Sequence, residues 1–171
     1  CCLVNNARSA SNLRINNDLG VVSEHNMISE FKLNVVVPYK LTTALINENS
    51  VPLKKVVNIG SIYGNVAPNL SLYKSPEKES PIHYGIAKAA LIQLTKELAV
   101  RSANVNINCV AYGGVEGRVD DAFKDRYSQL CPSGRMLNKS DLSEPLDMLL
   151  SEGSDGINGH ILMVDGGWTI W

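Results

Sequence analysis

The hydrophobic pattern divides the chain into short apolar runs and longer segments with a helical repeat. The runs at Leu3–Val4, Lys55–Ile59, Val105–Ala111 and His160–Val164 are short and are followed by loop-forming residues, as buried parallel strands are. Segments of helical periodicity lie between them. Strands that alternate with helices predict an α/β fold, a doubly wound parallel sheet with helices on both faces.

The strongest helical signal covers His83–Arg101. Its apolar residues fall on one face of a helix: Ala87, Leu91, Leu94, Leu98 and Ala99. Two further helices are predicted near Asp120–Leu130 and Asp141–Ser151, before the last strand. A turn at Asp165-Gly166-Gly167 follows that strand.

The segment after the first strand is predicted to begin as a loop and to continue as a helix. Polar residues over Arg8–Gly20 indicate the loop. Ser23 can cap the helix, with Asn26 in the place of the Glu of a full capping box. The helix should reach about Ile46, with a kink or a restart at Pro38. Its apolar residues at helical spacing are Met27, Ile28, Phe31, Val35 and Tyr39.

Composition indicates one ordinary globular domain. The 171 residues are 44% hydrophobic and 19% charged, with a formal net charge of −1. Neither disorder nor electrostatic binding to nucleic acid is indicated by these values. No apolar run approaches the roughly 18 residues that a membrane span requires. We therefore expect a soluble protein without nucleic-acid or membrane partners.

The four cysteines indicate neither a metal site nor a disulfide framework. They are Cys1, Cys2, Cys109 and Cys131, and they form no CxxC pair and no His/Cys metal spacing. Free thiols and the lack of a signal-peptide pattern favour a cytoplasmic location. The chain opens on apolar residues typical of a buried strand, without a preceding cap or turn, and this pattern is typical of a cut through a larger protein.

The main chemical signal is Tyr84-Gly85-Ile86-Ala87-Lys88 at the start of the long predicted helix. One helical turn separates Tyr84 from Lys88, so the two side chains should lie on the same face. A nearby ammonium favours the phenolate, so Lys88 is expected to lower the pKa of Tyr84 toward the working pH of a proton-transferring tyrosine. The Tyr84–Lys88 pair by itself is weak evidence for an active site, because a tyrosine and a lysine on a solvent-exposed helix face can have the same spacing.

Two further polar residues strengthen this signal. Ser61 follows a predicted strand and a glycine, and ligands bind at the carboxyl ends of the strands of a parallel α/β sheet. Its hydroxyl could polarise a carbonyl or alkoxide beside Tyr84. Asn34 lies inside a predicted helix, where asparagine is a poor helix former, so its side chain is expected to serve a site or to bond a nearby carbonyl.

These residues, in this order, resemble the classical short-chain dehydrogenase/reductase family over the whole chain. The matching segments are Leu3-Val4-Asn5-Asn6-Ala7 with its L-V-N-N-A-G element, Phe31–Asn34 with its helix carrying Asn, Val57–Ser61 with its strand ending in Ser, Tyr84–Lys88 with its Y-x-x-x-K, Val105–Gly114 with its R-V-N-x-x-x-P-G strand, and Gly159–Gly167 with its G-x-x-x-x-V-D-G-G ending. Six ordered elements are far more specific than any one of them.

The resemblance implies hydride transfer between NAD or NADP and a carbon that bears a hydroxyl or carbonyl. Tyr84 would be the general acid or base, Lys88 would tune it and bind the nicotinamide ribose, Ser61 would hold the substrate oxygen and Asn34 would position a water. Other residues implied to contact the cofactor are Asn5, Asn6, Ala7, Tyr112, Gly113 and Val115. No metal is implied, and the family's long helices imply a homodimer or homotetramer acting on a small-molecule substrate.

Several residues depart from the family pattern. Arg8 stands where the family has glycine, Tyr112 where it has proline, and Gly117 where a threonine usually contacts the nicotinamide carboxamide. The interval from Ser61 to Tyr84 is markedly longer than usual, with the surplus in a predicted loop over Asn69–Pro81, which we expect to border the substrate entrance.

The long interval and the residues Ser-Ile-Tyr-Gly-Asn-Val-Ala-Pro at 61–68 resemble the subgroup associated with flagellin modification and nonulosonic-acid biosynthesis. The family's Gly-rich pyrophosphate loop does not occur in the chain. The resemblance therefore implies that residues 1–171 are the C-terminal part of a single domain whose βαβαβ first half is missing. The residues that distinguish NAD from NADP belong to that half.

Two other functions stay open at this point. The chain could be non-catalytic and retain only oligomerisation surfaces. A titration with NADH or NADPH would distinguish such a chain from an enzyme. It could also belong to the nucleotide-sugar epimerases, which share the Y-x-x-x-K spacing, although the V-D-G-G ending favours the classical branch.

Overall fold

The computed structural model describes residues 1–13, 15, 20–48, 52–117 and 119–170, which form a parallel sheet flanked by helices. Its strands are β1 (Cys2–Asn5), β2 (Lys55–Ile59), β3 (Asn106–Tyr112) and β4 (Ile161–Val164). Its α-helices are α1 (Glu24–Phe31), α2 (Val37–Asn47), α3 (Pro76–Glu79), α4 (Ile82–Arg101), α5 (Asp121–Leu130) and α6 (Ser143–Leu150). A π-helical segment over Lys32–Val36 joins α1 to α2.

The four strands lie side by side in chain order, and every pair is parallel. Val4 is level with Val57, Val57 with Asn108, and Val110 with Leu162. The doubly wound parallel α/β architecture expected from the sequence is therefore confirmed.

Side chains from alternate strand positions build two apolar layers, because successive residues of a strand point to opposite faces. Val56 and Ile107 pack on one face with Leu98 of α4. Val57 and Val110 pack on the other face with Leu149 of α6. The long helix therefore contributes to one apolar layer and α6 to the other.

The predicted elements agree with the observed ones to within one or two residues, apart from two regions. The segment Asn69–Pro81 is not a plain loop, because it contains a 3-10 turn over Leu70–Leu72 and the short helix α3. Residues 14 and 16–19 of the predicted loop Arg8–Gly20 lie outside the described part of the chain.

The helix predicted from Ser23 to Ile46 restarts at Pro38 to within one residue, because α2 begins at Val37 with Pro38 in its first turn. The interruption before this restart is the π-helical segment, after which the Val37 N–H bonds the carbonyl of Lys32 in π-helical register. In an α-helix the carbonyl of Asn34 would accept from the N–H of residue 38, and proline has none. The missing donor gives a physical reason for a wider turn at Asn34. Pro38 itself is buried in the first turn of α2.

The apolar repeat of this helix does not form a buried face. Met27, Ile28, Phe31 and Tyr39 are all exposed. Within the described residues β1 pairs only with β2, and Val4 on that outer strand is also exposed. The side of the sheet next to β1 therefore presents apolar surface.

No helix in the described ranges is long and apolar enough to cross a membrane.

A chain of polar side chains ties β1 and β2 to α4 inside the protein. The Asn5 amide donates to Asn58 Oδ1 at 2.8 Å, and the Asn58 amide donates to Thr95 Oγ1 at 2.9 Å. Thr95 in turn donates to the Leu91 carbonyl. All three polar side chains are buried, so each depends on the others for its hydrogen bonds.

Replacing the central residue of this network should lower the free energy of unfolding. Asn58→Ala leaves the buried Asn5 amide without its acceptor, which typically costs about 1–3 kcal/mol. Gln93→Ala is the matched control, because the Gln93 amide bonds Glu97 on the exposed side of α4, and such pairs contribute a few tenths of a kcal/mol. Urea unfolding followed by circular dichroism measures both. Equal effects of the two changes would contradict the role of the network.

Candidate active site

A cavity of about 550 Å³ lies at the carboxyl end of the strands. Ser61, which follows β2, and Tyr84 on the first turn of α4 both line it. Gly113, Gly114 and Val115, which follow β3, line it as well. The structure therefore brings Ser61, Tyr84 and two of the predicted cofactor residues to one cavity.

Ser61 is held by a tight turn that packs on α4. Its Oγ accepts from the Tyr63 N–H at 3.2 Å and caps a 3-10 turn over Ile62–Gly64. A Cβ built on Gly64 would come within 2.8 Å of the Lys88 backbone, so only glycine allows the turn to approach the helix this closely. This approach places the buried Ser61 side chain beside Tyr84.

The pKa of Tyr84 is raised above its usual value, mainly because burial disfavours the phenolate. A hydrogen bond with Ser61 acts in the opposite direction, and the charge of Glu30 adds to the rise. The predicted lowering of this pKa by Lys88 is therefore wrong for the chain as it stands. Tyr84 holds its proton at neutral pH and is poised as an acid.

Lys88 lies beside the ring of Tyr84 and not at its hydroxyl. Its Nζ is 5.8 Å from the ring centroid and donates to the carbonyl of Ile59 at 2.7 Å. Burial lowers the pKa of Lys88, while the charge of Glu30 raises it. The predicted common face of Tyr84 and Lys88 is confirmed, but the ammonium is anchored to the end of β2.

Asn34 lies next to Lys88 in a second, smaller cavity of about 140 Å³. Its amide donates to the backbone carbonyl of Glu30 at 3.0 Å and to Glu30 Oε1 at 2.8 Å. The expectation that a mid-helix asparagine bonds a nearby carbonyl is confirmed. Sequence reasoning missed Glu30, although its place four residues before Asn34 puts both on one helical face.

The other predicted cofactor residues have different environments. Asn5, Asn6 and Ala7 line the smaller cavity with Lys88, but the Asn5 amide is bonded to Asn58. The Tyr112 hydroxyl donates to the carbonyl of Leu142 and the ring packs with the apolar layer under α6. Tyr112 therefore lies among structural contacts, outside both cavities.

Gly117 has a φ of +108°, in the region that favours glycine. A threonine, which the family usually has there, would be strained in this backbone conformation. The departure at this position thus has a conformational reason.

An aromatic wall, which the sequence did not predict, closes the larger cavity. It consists of Tyr63, Tyr73, Phe123 and Tyr127. Tyr63 and Tyr73 share a hydrogen bond between their hydroxyls at 2.8 Å, and Tyr73 meets Phe123 edge to face. Spacing along the chain carries no signal for this wall, because its residues come from separate elements.

Charged residues stand at the cavity as well. Lys74 and Glu79, from the segment predicted to border an entrance, line it together with Asp120 and Arg126. Lys74 Nζ is paired with Asp120 Oδ2 at 2.6 Å. The long interval before Tyr84 therefore does supply part of the cavity lining.

Among the described residues no cluster of three or more His, Cys, Asp or Glu side chains could hold a metal ion.

Comparison with known proteins identifies the group to which this arrangement belongs. A family model described as "Enoyl-(Acyl carrier protein) reductase" matches residues 2–169. The chain belongs to the short-chain dehydrogenase/reductase family. The classical family resemblance seen in the sequence is thereby confirmed.

Three relatives show how this family member compares with others. The post-translational flagellin modification protein A of Campylobacter coli is 32% identical over 117 residues, covering 67% of this chain and 46% of that protein. A 3-oxoacyl-(acyl-carrier-protein) reductase of Chlamydia trachomatis is 30% identical over 157 residues, covering 85% and 58%. The solved short-chain dehydrogenase of Leptospira borgpetersenii, with bound NAD+, superposes with a TM-score of 0.84 at 28% identity, covering 98% and 64%. The chain spans about half the length of the curated relatives it matches.

Removing the Ser61 hydroxyl should raise the pKa of Tyr84 further. The hydrogen bond with Ser61 favours the phenolate, so Ser61→Ala moves the ionisation of Tyr84 to higher pH. Tyrosinate absorbance measures this pKa when the titration of a Tyr84→Phe background is subtracted. Ser71→Ala, on an exposed hydroxyl bonded to Asn69, should leave the midpoint in place. An unmoved midpoint in Ser61→Ala would count against the contact.

Proposed function

We propose that this chain supplies the catalytic half of a nicotinamide-dependent oxidoreductase that interconverts an alcohol and a ketone. The observation that carries the proposal is the pairing of Ser61 and Tyr84 on one wall of the larger cavity. A hydroxyl and a protonated phenol side by side can both contact one substrate oxygen. That is the arrangement needed to protonate a carbonyl as it is reduced.

Each proposed catalytic residue has a separate role. Tyr84 donates its proton to the substrate oxygen in reduction and removes it in oxidation. Ser61 bonds the same oxygen and favours the phenolate that forms when Tyr84 gives up its proton. Lys88 holds the nicotinamide ribose, and Asn34 positions a water that returns a proton from solvent.

The residues around Lys88 suit the ribose of a nicotinamide cofactor. The ammonium has three donors, one of which bonds the carbonyl of Ile59. Lys88 also lines the smaller cavity together with Asn5, Asn6 and Ala7. Gly113 and Val115 line the cavity of Tyr84 and would lie along the nicotinamide. NAD or NADP, when bound, supplies or accepts the hydride.

A sugar-like substrate fits the larger cavity best. The aromatic wall offers flat apolar faces next to tyrosine hydroxyls, and Lys74, Glu79 and Arg126 add charged hydrogen-bonding groups. A polyhydroxylated ring has both an apolar face and many hydroxyls, so it matches such a surface. The relation to a flagellin modification protein supports a role in carbohydrate biosynthesis. An acyl substrate is the second candidate, favoured by the relation to an acyl-carrier-protein reductase.

The cellular setting follows from the same proposal. Residues 1–171 would form the C-terminal part of one domain that also contains a dinucleotide-binding half. The four cysteines are all free thiols, which supports a location in the reducing cytoplasm. Exposed apolar residues on α2 and α4, such as Tyr39 and Ile86, support assembly into a homodimer or homotetramer.

Tyr84→Phe should lower turnover by ~10²-fold or more in the enzyme that contains both halves, because the general acid is lost. Assays would follow nicotinamide absorbance with NADH and NADPH against hexuloses, hexitols and an acetoacetyl thioester. Tyr39→Phe is the control, because it makes the same chemical change on an exposed side chain outside both cavities. Near-normal turnover in Tyr84→Phe would remove this residue from the mechanism and overturn the proposed function.

Residues 1–171 by themselves should self-associate and bind no dinucleotide with useful affinity. Among the described residues β1 pairs only with β2, so its other edge is open to strand pairing, with Val4, Met27 and Phe31 as exposed apolar residues, and such edges pair with other chains. Sedimentation velocity and NADH fluorescence titration test the two parts. A monomer that binds NADH at micromolar concentration would contradict the proposal of a half domain.

A further inference from the structure

Glu30 is the most deeply buried carboxylate near the candidate site, and none of the roles proposed above uses it. Its side chain is 1% exposed. Oε1 accepts from the Asn34 amide at 2.8 Å, and Oε2 has no hydrogen-bond partner among the described atoms. Burying a carboxylate is strongly unfavourable unless it is paired, so a purely structural residue at this position would destabilise the fold.

The surroundings of Glu30 lead directly to the proton-transfer residues. Helix α1 packs against α4, which carries Tyr84 and Lys88. The charge of Glu30 raises the pKa of both residues. The other groups acting on them are Ser61 and Tyr73 for Tyr84, and Cys109 of β3 for Lys88. Glu30 is the acidic side chain common to both.

We propose that Glu30 is a positioning residue of this site, which fixes the orientation of the Asn34 amide. The proposal rests on the proposed function. Through Asn34, the carboxylate reaches the π-helical segment that carries the residue expected to hold a water. Through its charge, it raises the pKa of both Lys88 and Tyr84.

The two effects can be separated by two substitutions. Glu30→Gln keeps an oxygen that accepts from Asn34 but removes the charge. Glu30→Leu fills a similar volume and removes both the hydrogen-bond acceptor for Asn34 and the charge. Glu24→Gln is the matched control, because it makes the same chemical change on the exposed first turn of the same helix.

The charge effect is tested without any enzymatic assay. In Glu30→Gln the tyrosinate titration of Tyr84 should shift to lower pH, because a nearby negative charge opposes phenolate formation. Glu24→Gln should leave the midpoint unchanged. A midpoint in Glu30→Gln equal to that of the parent chain would overturn the electrostatic role.

The positioning effect is tested in the active enzyme. Glu30→Leu should lower kcat by roughly tenfold to a hundredfold with little change in KM, because the Asn34 amide loses its anchor. Glu30→Gln should restore most of kcat while its pH profile follows the shifted Tyr84. Unfolding midpoints should be equal or higher in Glu30→Leu, since apolar replacement of a buried charge is often stabilising.

Specific outcomes would overturn the positioning role. A Glu30→Leu variant that is less stable but keeps the parent kcat and pH profile makes Glu30 purely structural. If Glu30→Leu does not fold, the titration and the pH profile of Glu30→Gln decide. Activity in Tyr84→Phe would refute the proposed function itself, whereas an inactive Tyr84→Phe with an unshifted Tyr84 titration and pH profile in Glu30→Gln refutes only the role of Glu30.

Discussion

The site depends on the contact between the end of β2 and the first turns of α4. Lys88 donates to the carbonyl of Ile59, and Gly64 lets the turn after Ser61 press against the Lys88 backbone. The helix start and the strand end are thus fixed to each other by one ammonium and one close approach. Without this contact the hydroxyl of Ser61 and the phenol of Tyr84, twenty-three residues apart in the chain, would have no reason to meet.

Burial at this contact has opposite effects on its two ionisable partners. It stabilises the neutral phenol of Tyr84 and destabilises the ammonium of Lys88. Lys88 remains useful because the Ile59 carbonyl and the Glu30 charge both favour its charged form. Two oxygen atoms from different elements therefore act against the effect of the apolar environment on Lys88, and that environment makes the site sensitive to single charges.

Local patterns predicted the fold well because each strand carries its own signal. Lys55–Ile59 was predicted with its observed bounds, and the long helix began one residue earlier than expected. Ser61 and Tyr84 were also found from their local context. The predicted direction of the Tyr84 pKa shift was wrong. The one-turn spacing places Tyr84 and Lys88 on a shared helix face, but the direction of the Lys88 ammonium depends on the carbonyl of Ile59 in another element. The aromatic wall depends on tertiary contacts, which no short motif encodes, whereas the one-turn spacing of Glu30 and Asn34 was a local signal that was overlooked.

Pro38 shows how an absent atom can shape a helix at a distance. By lacking an N–H, it changes the hydrogen bonding of Asn34, a residue one turn away that it need not touch. A substitution that looks conservative in size and polarity at position 38 would restore the missing backbone donor. In this family member the backbone conformation around Asn34 therefore depends on Pro38, which is not a site residue. A comparison limited to the site residues would overlook that dependence.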